Sequence, residues 1–281
     1  MTKRNNPLFM VLPLLIFAGV ALFLICRNLF WNRQLRSFLP GPDGAWLDLC
    51  RSDGGTACAG GDELHPIKEN RCSGTGIGGE EMKRLVIYVH GKGGSAEEAE
   101  HYRPLFPGGD VIGFDYHAKT PWEAKDEFSR FFDLHSKGYD SVILIANSIG
   151  AYFSINALAE KSISKALFVS PVVNMERLIA DMMTWAGATE TELESKKEIP
   201  TEFGETLSWE YLCYVRKHPI RWRIPTCILY GGKDHLTSRE TISGFADRIG
   251  ADLTVMEEGE HWFHTEEQMK VLDHWISFSI R

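Results

Sequence analysis

The sequence predicts an α/β fold with a mostly parallel sheet and helices on both of its faces. Three observations carry that expectation. The composition is globular, 44% hydrophobic and 24% charged, which sets aside wholesale disorder and fibrous repeats. From residue 84 onward short apolar runs recur. Between them lie stretches of helical periodicity, the alternation expected of parallel strands joined by crossover helices.

The chain opens differently. Pro7 to Cys26 run for 20 residues without a charge. A helix of that length spans roughly 30 Å, the thickness of a bilayer core. Lys3 and Arg4 precede it, Arg27, Arg33 and Arg36 follow it, and Trp31 lies where the interface would be. Ala18-Gly19-Val20-Ala21 resembles a signal-peptide cleavage site, but apolar sequence continues beyond it. Ile25 stands before Cys26, where a lipoprotein signal needs a small residue. Residues 1–36 are therefore expected to be a single-pass membrane anchor with its flanks, leaving the body extracytoplasmic.

Residues 37–83 read as a linker or irregular subdomain. Cys50 to Gly79 hold eight glycines and little periodicity. Cys50, Cys58 and Cys72 fall in this stretch and suit a disulfide in an oxidising compartment. Cys227 sits in an apolar run and reads as a buried thiol.

The remaining expected strands and helices follow in order. Strands are expected at Leu85–Val89, Val111–Phe114, Val142–Ala146, Ala166–Val169, Cys227–Tyr230 and Leu253–Met256. Helices are expected at Ala96–Tyr102, Pro121–Ser136, Ile149–Lys161, Ser238–Arg248 and Glu266–Ser279. Thr120 suits the N-cap before Pro121, whose fixed φ fits the first turn. About 55 residues separate the fourth strand from the fifth, and a connection that long carries structure of its own. Rich in aromatics and including Met182 and Met183, residues 172–224 read as a mostly helical cap. The run Glu190–Glu198 reads as a solvated helix face.

Charge narrows the function classes. Residues 1–36 hold five basic residues and no acid, so the other 245 carry 25 basic against 38 acidic residues, a net charge of -13. An acidic body argues against nucleic acid as a partner. No His, Asp or Glu cluster has metal-ligand spacing, so no metal is expected.

The strongest chemical signal is Ala146-Asn147-Ser148-Ile149-Gly150, where an apolar strand runs into a helical pattern. It has the form of a nucleophile elbow, G-x-S-x-G, with Ala in the first glycine position. The sharp turn demands small residues two before and two after the nucleophile. It lifts the Ser148 hydroxyl clear of the backbone at a helix N-terminus, where the dipole favours developing negative charge. The bland alternative is a serine N-cap.

A serine hydroxyl needs a base. His261 lies in the loop after the last expected strand, within Gly259-Glu260-His261-Trp262-Phe263, and is the first choice; His264, nearer the helix start, is the second. An acid must hold the imidazole tautomer. Asp234 follows Tyr230-Gly231-Gly232-Lys233 at the end of the fifth strand. Two backbone amides must meet the oxyanion. Ile149, just after the nucleophile, supplies one. The loop Val89-His90-Gly91-Lys92-Gly93-Gly94 supplies the other, through Lys92, with His90 and Gly91 as loop support.

At these residues the chain resembles the α/β-hydrolase superfamily, in particular small bacterial serine hydrolases with a His-Gly-Lys-Gly-Gly oxyanion loop. The resemblance covers roughly residues 84–281; the anchor and the Cys-containing stretch fall outside it. It implies a cofactor-free Ser-His-Asp hydrolase acting on a small-molecule acyl substrate. With the anchor, the expectation is a membrane-anchored serine hydrolase that cleaves a carboxylic ester or related acyl bond through an acyl-enzyme. An acyltransferase with the same triad and a non-catalytic binding protein on this fold are the alternatives. Weaker signals are set aside. Gly74 to Gly79 fit G-x-G-x-x-G without a strand before them. His135 to Asp140 fit an acyltransferase spacing but form the connection into a strand. Asp115, His117 and His235 lie near strand ends, where solvated loop positions are common.

Overall fold

A computed structural model describes residues 82–281. The expected anchor, the stretch 37–81 and Cys26, Cys50, Cys58 and Cys72 lie outside the described residues. Among the described residues no helix is long and apolar enough to cross a membrane.

Six parallel strands form one sheet: β1 (Arg84–Val89), β2 (Asp110–Phe114), β3 (Ser141–Asn147), β4 (Lys165–Val169), β7 (Thr226–Gly231) and β8 (Asp252–Met256). Their order is β2-β1-β3-β4-β7-β8. Each expected strand is present and begins one residue earlier than its apolar run. The extra residue (Arg84, Asp110, Ser141, Lys165, Thr226 or Asp252) pairs in the ladder, mostly at a less buried strand end.

The strands are apolar on both faces, and side chains alternate between two cores. Leu85, Ile87 and Val89 point with Val142, Leu144 and Ala146 into one core, together with Phe168 and Tyr230. Helices α1 (Pro121–His135), α2 (Ser148–Ala157) and α6 (Arg239–Ile249) cover it with Phe128, Phe153 and Phe245. Val86, Tyr88, Ile143, Ile145, Leu167 and Leu229 point the other way. There Tyr102 and Phe106 meet Leu272, Trp275 and Ile276 of α7 (Glu266–Ser279). Fully burying each such side chain contributes about 1.5–3 kcal/mol, so two continuous cores hold the sheet from both sides.

Local rules explain the helix starts. Thr120 caps α1, accepting from the Glu123 amide, while Glu123 reaches back to the Thr120 amide. Thr265 caps α7 in the same way with Gln268. The helix expected over Ala96–Tyr102 is present as a 3-10 helix and runs on to Leu105, with Pro104 near its end. One expectation needs correcting. The helix expected over 149–161 ends at Ala157, where Leu158 leaves helical geometry.

The insertion between β4 and β7 holds α3 (Met175–Trp185), α4 (Glu190–Lys196), a short antiparallel hairpin of β5 (Glu198–Pro200) and β6 (Thr206–Ser208), and α5 (Trp209–Lys217). The hairpin was not expected. Met175, Ile179 and Met183 recur every four residues and bury one face of α3. Leu193, Leu207, Leu212 and Trp222 seal the cap onto the main core. Trp185 is half exposed and meets Phe203 edge to face. The acidic run forms α4 with an exposed charged face, as read from the sequence.

Candidate active site

Ser148 opens α2 directly after β3 and has φ 50°, left-handed backbone that costs a non-glycine residue energy. The N-cap is Asn147, not Ser148, so the serine is on the turn and not a simple cap. Ala146 is fully buried within β3 and pairs with Val89 and Phe168, so the first elbow position has strand geometry and accepts a methyl group. Gly150 has no such room: a Cβ there would lie 2.3 Å from the His90 carbonyl oxygen. Val172 donates its N–H to the Ser148 carbonyl at 3.1 Å, tying the turn to the segment after β4.

Asp234 follows β7 in a tight turn closed by its own N–H on the Gly231 carbonyl at 3.0 Å. Its side chain is fully buried. Oδ1 accepts the amides of Leu236 at 2.7 Å and Thr237 at 3.2 Å, which leaves Oδ2 aimed outward. Tyr230 braces this loop by donating its hydroxyl to the Thr237 carbonyl at 2.7 Å.

His261 lies in the loop after β8. That loop and the Asp234 turn are joined main chain to main chain. Gly232 donates to Met256 O and Lys233 to Gly259 O, both at 2.8 Å. A Cβ on Gly231 would lie 2.3 Å from the Glu260 carbonyl oxygen, and one on Gly232 would lie 2.6 Å from that of Glu257. The paired glycines let the two loops touch. Phe263, buried in the second core, fixes the far side of the histidine loop.

These placements bring three of the expected side chains into one hydrogen-bonded row. His261 Nε2 lies 2.8 Å from Ser148 Oγ, and His261 Nδ1 lies 2.7 Å from Asp234 Oδ2. The carboxylate accepts from Nδ1–H, which leaves Nε2 to accept from the serine hydroxyl. The imidazole is about one-fifth exposed, at 21%.

The loop after β1 lies against the elbow. A Cβ on Gly91 would be 3.2 Å from that of Ser148. Lys92 and Gly93 form the turn closed by Gly94 N–H on Gly91 O at 3.0 Å. Ile149 is in the first turn of α2, where amides have no intrahelical acceptor. His90 is buried, stacks on Tyr116 at 4.4 Å and turns Nδ1 to the Gly91 carbonyl at 2.8 Å. The Tyr116 hydroxyl donates to the His90 carbonyl at 3.1 Å. His90 is thus built into the loop.

The other candidates are accounted for elsewhere. His264 stacks on Trp262 and points Nδ1 at the Trp262 carbonyl. His117 is exposed beside Glu127, and Asp115 and His235 are exposed. Among the described residues no group of three or more His, Cys, Asp or Glu could hold a metal ion. Cys213 and Cys227 are free, and Cys227 is buried as expected.

Sequence reasoning missed the clamp on Asp234. The Asp-x-Leu-Thr order is its signal, because a carboxylate accepting from amides two and three residues on forms a local turn. It also missed two side-chain links described below: Lys92 to Glu205 in the cap, and Asn147 through Tyr88 to Glu98. Neither pairing leaves a short-range pattern.

No family model matches the chain. Among curated proteins it is 26% identical over 103 residues to "Putative esterase/lipase 3" of Mycoplasma genitalium, a match over 32% of this chain. The chain covers only 37% of that protein's length. Solved structures resemble it over a longer span. Est1E from Butyrivibrio proteoclasticus aligns with a TM-score of 0.57 at 16% identity, over 73% of this chain and 89% of that one. Alpha/beta hydrolase domain-containing protein 10 from mouse aligns with a TM-score of 0.55 at 19% identity, over 70% of this chain and 89% of that one. At such identities the likeness is one of architecture, and with the parallel sheet and its covering helices it establishes that residues 82–281 have the α/β-hydrolase fold.

Proposed function

We propose that this chain is a serine hydrolase that cleaves a carboxylic ester or related acyl bond through an acyl-enzyme. The observation that carries the reading is the row Ser148–His261–Asp234, hydrogen-bonded in the order hydroxyl, imidazole, carboxylate at the carboxyl ends of β3, β8 and β7. Open α/β sheets gather their sites at those ends.

In this mechanism Ser148 Oγ attacks the substrate carbonyl carbon while its proton passes to His261 Nε2. The carbonyl π pair moves onto oxygen, and the amides of Lys92 and Ile149 meet the oxyanion. Asp234 stabilises the imidazolium and keeps Nδ1 protonated; its own second oxygen is occupied by the Leu236 and Thr237 amides, so it cannot rotate freely. Collapse of the intermediate expels the leaving group, which takes the proton from His261. Water then attacks the acyl-enzyme by the same steps and frees Ser148. The aromatic cap supports an apolar acyl or alkyl group as part of the substrate.

The direct test is covalent labelling of the full-length chain with a fluorophosphonate probe, beside Ser148→Ala. Labelling of the parent alone is expected. Equal labelling of both would reassign the nucleophile, and labelling of neither would favour a binding protein on this fold. The anchor belongs to the same proposal and rests on the uncharged run from Pro7 to Cys26. Detergent should be needed to extract the full chain from membranes; release by high salt alone would remove the anchor from the reading.

A further inference from the structure

The serine turn is strained, and strain of this kind persists only where neighbours hold it. One such holder lies behind the nucleophile and takes no part in the steps above. Asn147, the residue before Ser148, donates Nδ2 to the Tyr88 hydroxyl at 2.9 Å. The Tyr88 hydroxyl donates in turn to Glu98 Oε2. Glu98 Oε1 accepts the Ser95 amide at 3.3 Å. The row therefore joins the end of β3, the end of β1 and the first turn of the 3-10 helix that follows the Lys92 loop.

Two further facts tie Glu98 to that loop. A Cβ on Gly94 would lie 2.8 Å from His90 Cβ and 2.9 Å from Glu98 Oε1, so glycine is what lets the loop close over the carboxylate. Tyr88 is fully buried, and burial, together with Tyr102 and Glu98 nearby, pushes its phenol pKa up, so it stays a donor. Burial also makes the row costly to interrupt, since an orphaned donor or acceptor loses about 1–3 kcal/mol of solvation.

We propose that Tyr88 and Glu98 are positioning residues that hold the Ser148 turn and the Lys92 loop in register through Asn147. The proposal rests on the serine-hydrolase reading and adds to it the reason the nucleophile and one oxyanion donor keep their spacing. Neither residue touches substrate. Loosening the row should misplace the donor relative to the tetrahedral oxyanion and leave ground-state binding nearly alone, so the loss falls on kcat and not on KM.

The test compares Tyr88→Phe, Glu98→Gln and the double variant in the full-length chain, using a p-nitrophenyl ester and the fluorophosphonate probe. Each single variant should lower kcat and the labelling rate at Ser148 by about tenfold with KM within about twofold. The double variant should be no slower than the worse single one, because one row is broken only once. Multiplicative losses, or labelling at the parental rate in folded variants, would overturn the proposal. If Tyr88→Phe does not fold, Glu98→Gln, at the less buried end, decides alone. A parent that does not label at Ser148 sinks the hydrolase reading itself, whereas a labelled parent with equally fast variants sinks only this inference.

Discussion

At the carboxyl ends of the strands, loops meet main chain to main chain; in the cap between β4 and β7, the α3, α4 and α5 helices are linked through an arginine side chain. The Asp234 and His261 loops share two backbone hydrogen bonds, and Gly231 and Gly232 sit where a methyl group would strike the facing carbonyls. Gly150 does the same for the Ser148 turn and His90. In the cap, Arg216 of α5 instead forks onto Glu190 at 2.6 and 2.9 Å and reaches Glu176 of α3 at 2.7 Å. Main-chain contacts through glycine fix atoms to a fraction of an ångström, whereas exposed ion pairs on long side chains have small net worth. Precision is therefore located in the loops that aim Ser148, His261 and Asp234, and not in the cap.

The comparison is sharpest where a single atom is changed inside the precise region. Asp234→Asn keeps the shape of the side chain but replaces one acceptor oxygen by an amide donor, so His261 loses the tautomer its neighbour selects. A fall in kcat of about 10³–10⁴ is expected, with the far-ultraviolet circular dichroism unchanged. A rate close to the parent's would move the role to another carboxylate.

Glycines give the next contrast. Gly150→Ala places a methyl group 2.3 Å from the His90 carbonyl oxygen, so the Lys92 loop must part from the serine turn. Overpacking of that kind costs about 1–3 kcal/mol, and kcat should fall about 10- to 100-fold. Gly187 in the cap has φ 64° and open space around it. Gly187→Ala should cost about 1 kcal/mol of stability through its backbone alone and leave kcat within about twofold. Thermal melts and initial rates on the two variants separate these outcomes; equal effects on rate would erase the distinction between the regions.

The same distinction governs what could be read from the sequence. Strands were legible because runs such as Val142 to Ala146 are apolar on both faces, and each lies between turn signals. Ser148, Asp234 and His261 were legible because glycines and strand ends mark their loops. The hairpin of β5 and β6 was not, since strands of three residues with one deeply buried side chain, Leu207, carry no period to detect. The helix that begins at Ala96 was legible, but its 3-10 type was not, because that depends on i to i+3 bonding. The Asn147–Tyr88–Glu98 row was hidden for another reason: Tyr88 sits in an apolar run, where an aromatic reads as core, and its hydroxyl finds Asn147 59 positions away.

A small, salt-dependent effect is expected where the two regions touch. Lys92, in the loop after β1, pairs with Glu205 of the cap hairpin. The hairpin turn is well built: the Thr201 amide and hydroxyl both donate to the Glu205 carbonyl, at 2.8 and 2.7 Å, and the Glu205 amide returns a bond to the hydroxyl at 3.1 Å. The turn thus presents the carboxylate in a defined place, but both charged side chains remain accessible, at 67% and 38%. An ion pair so exposed is worth about 0–1 kcal/mol, so Glu205→Gln should change kcat/KM by no more than about fivefold. Raising the ionic strength from about 0.01 M to about 1 M shortens the Debye length from about 30 Å to about 3 Å, and should bring the parent toward the variant while moving the variant little. A loss of about 100-fold in Glu205→Gln, insensitive to salt, would place the cap among the precise parts of the molecule and break the contrast between the two regions.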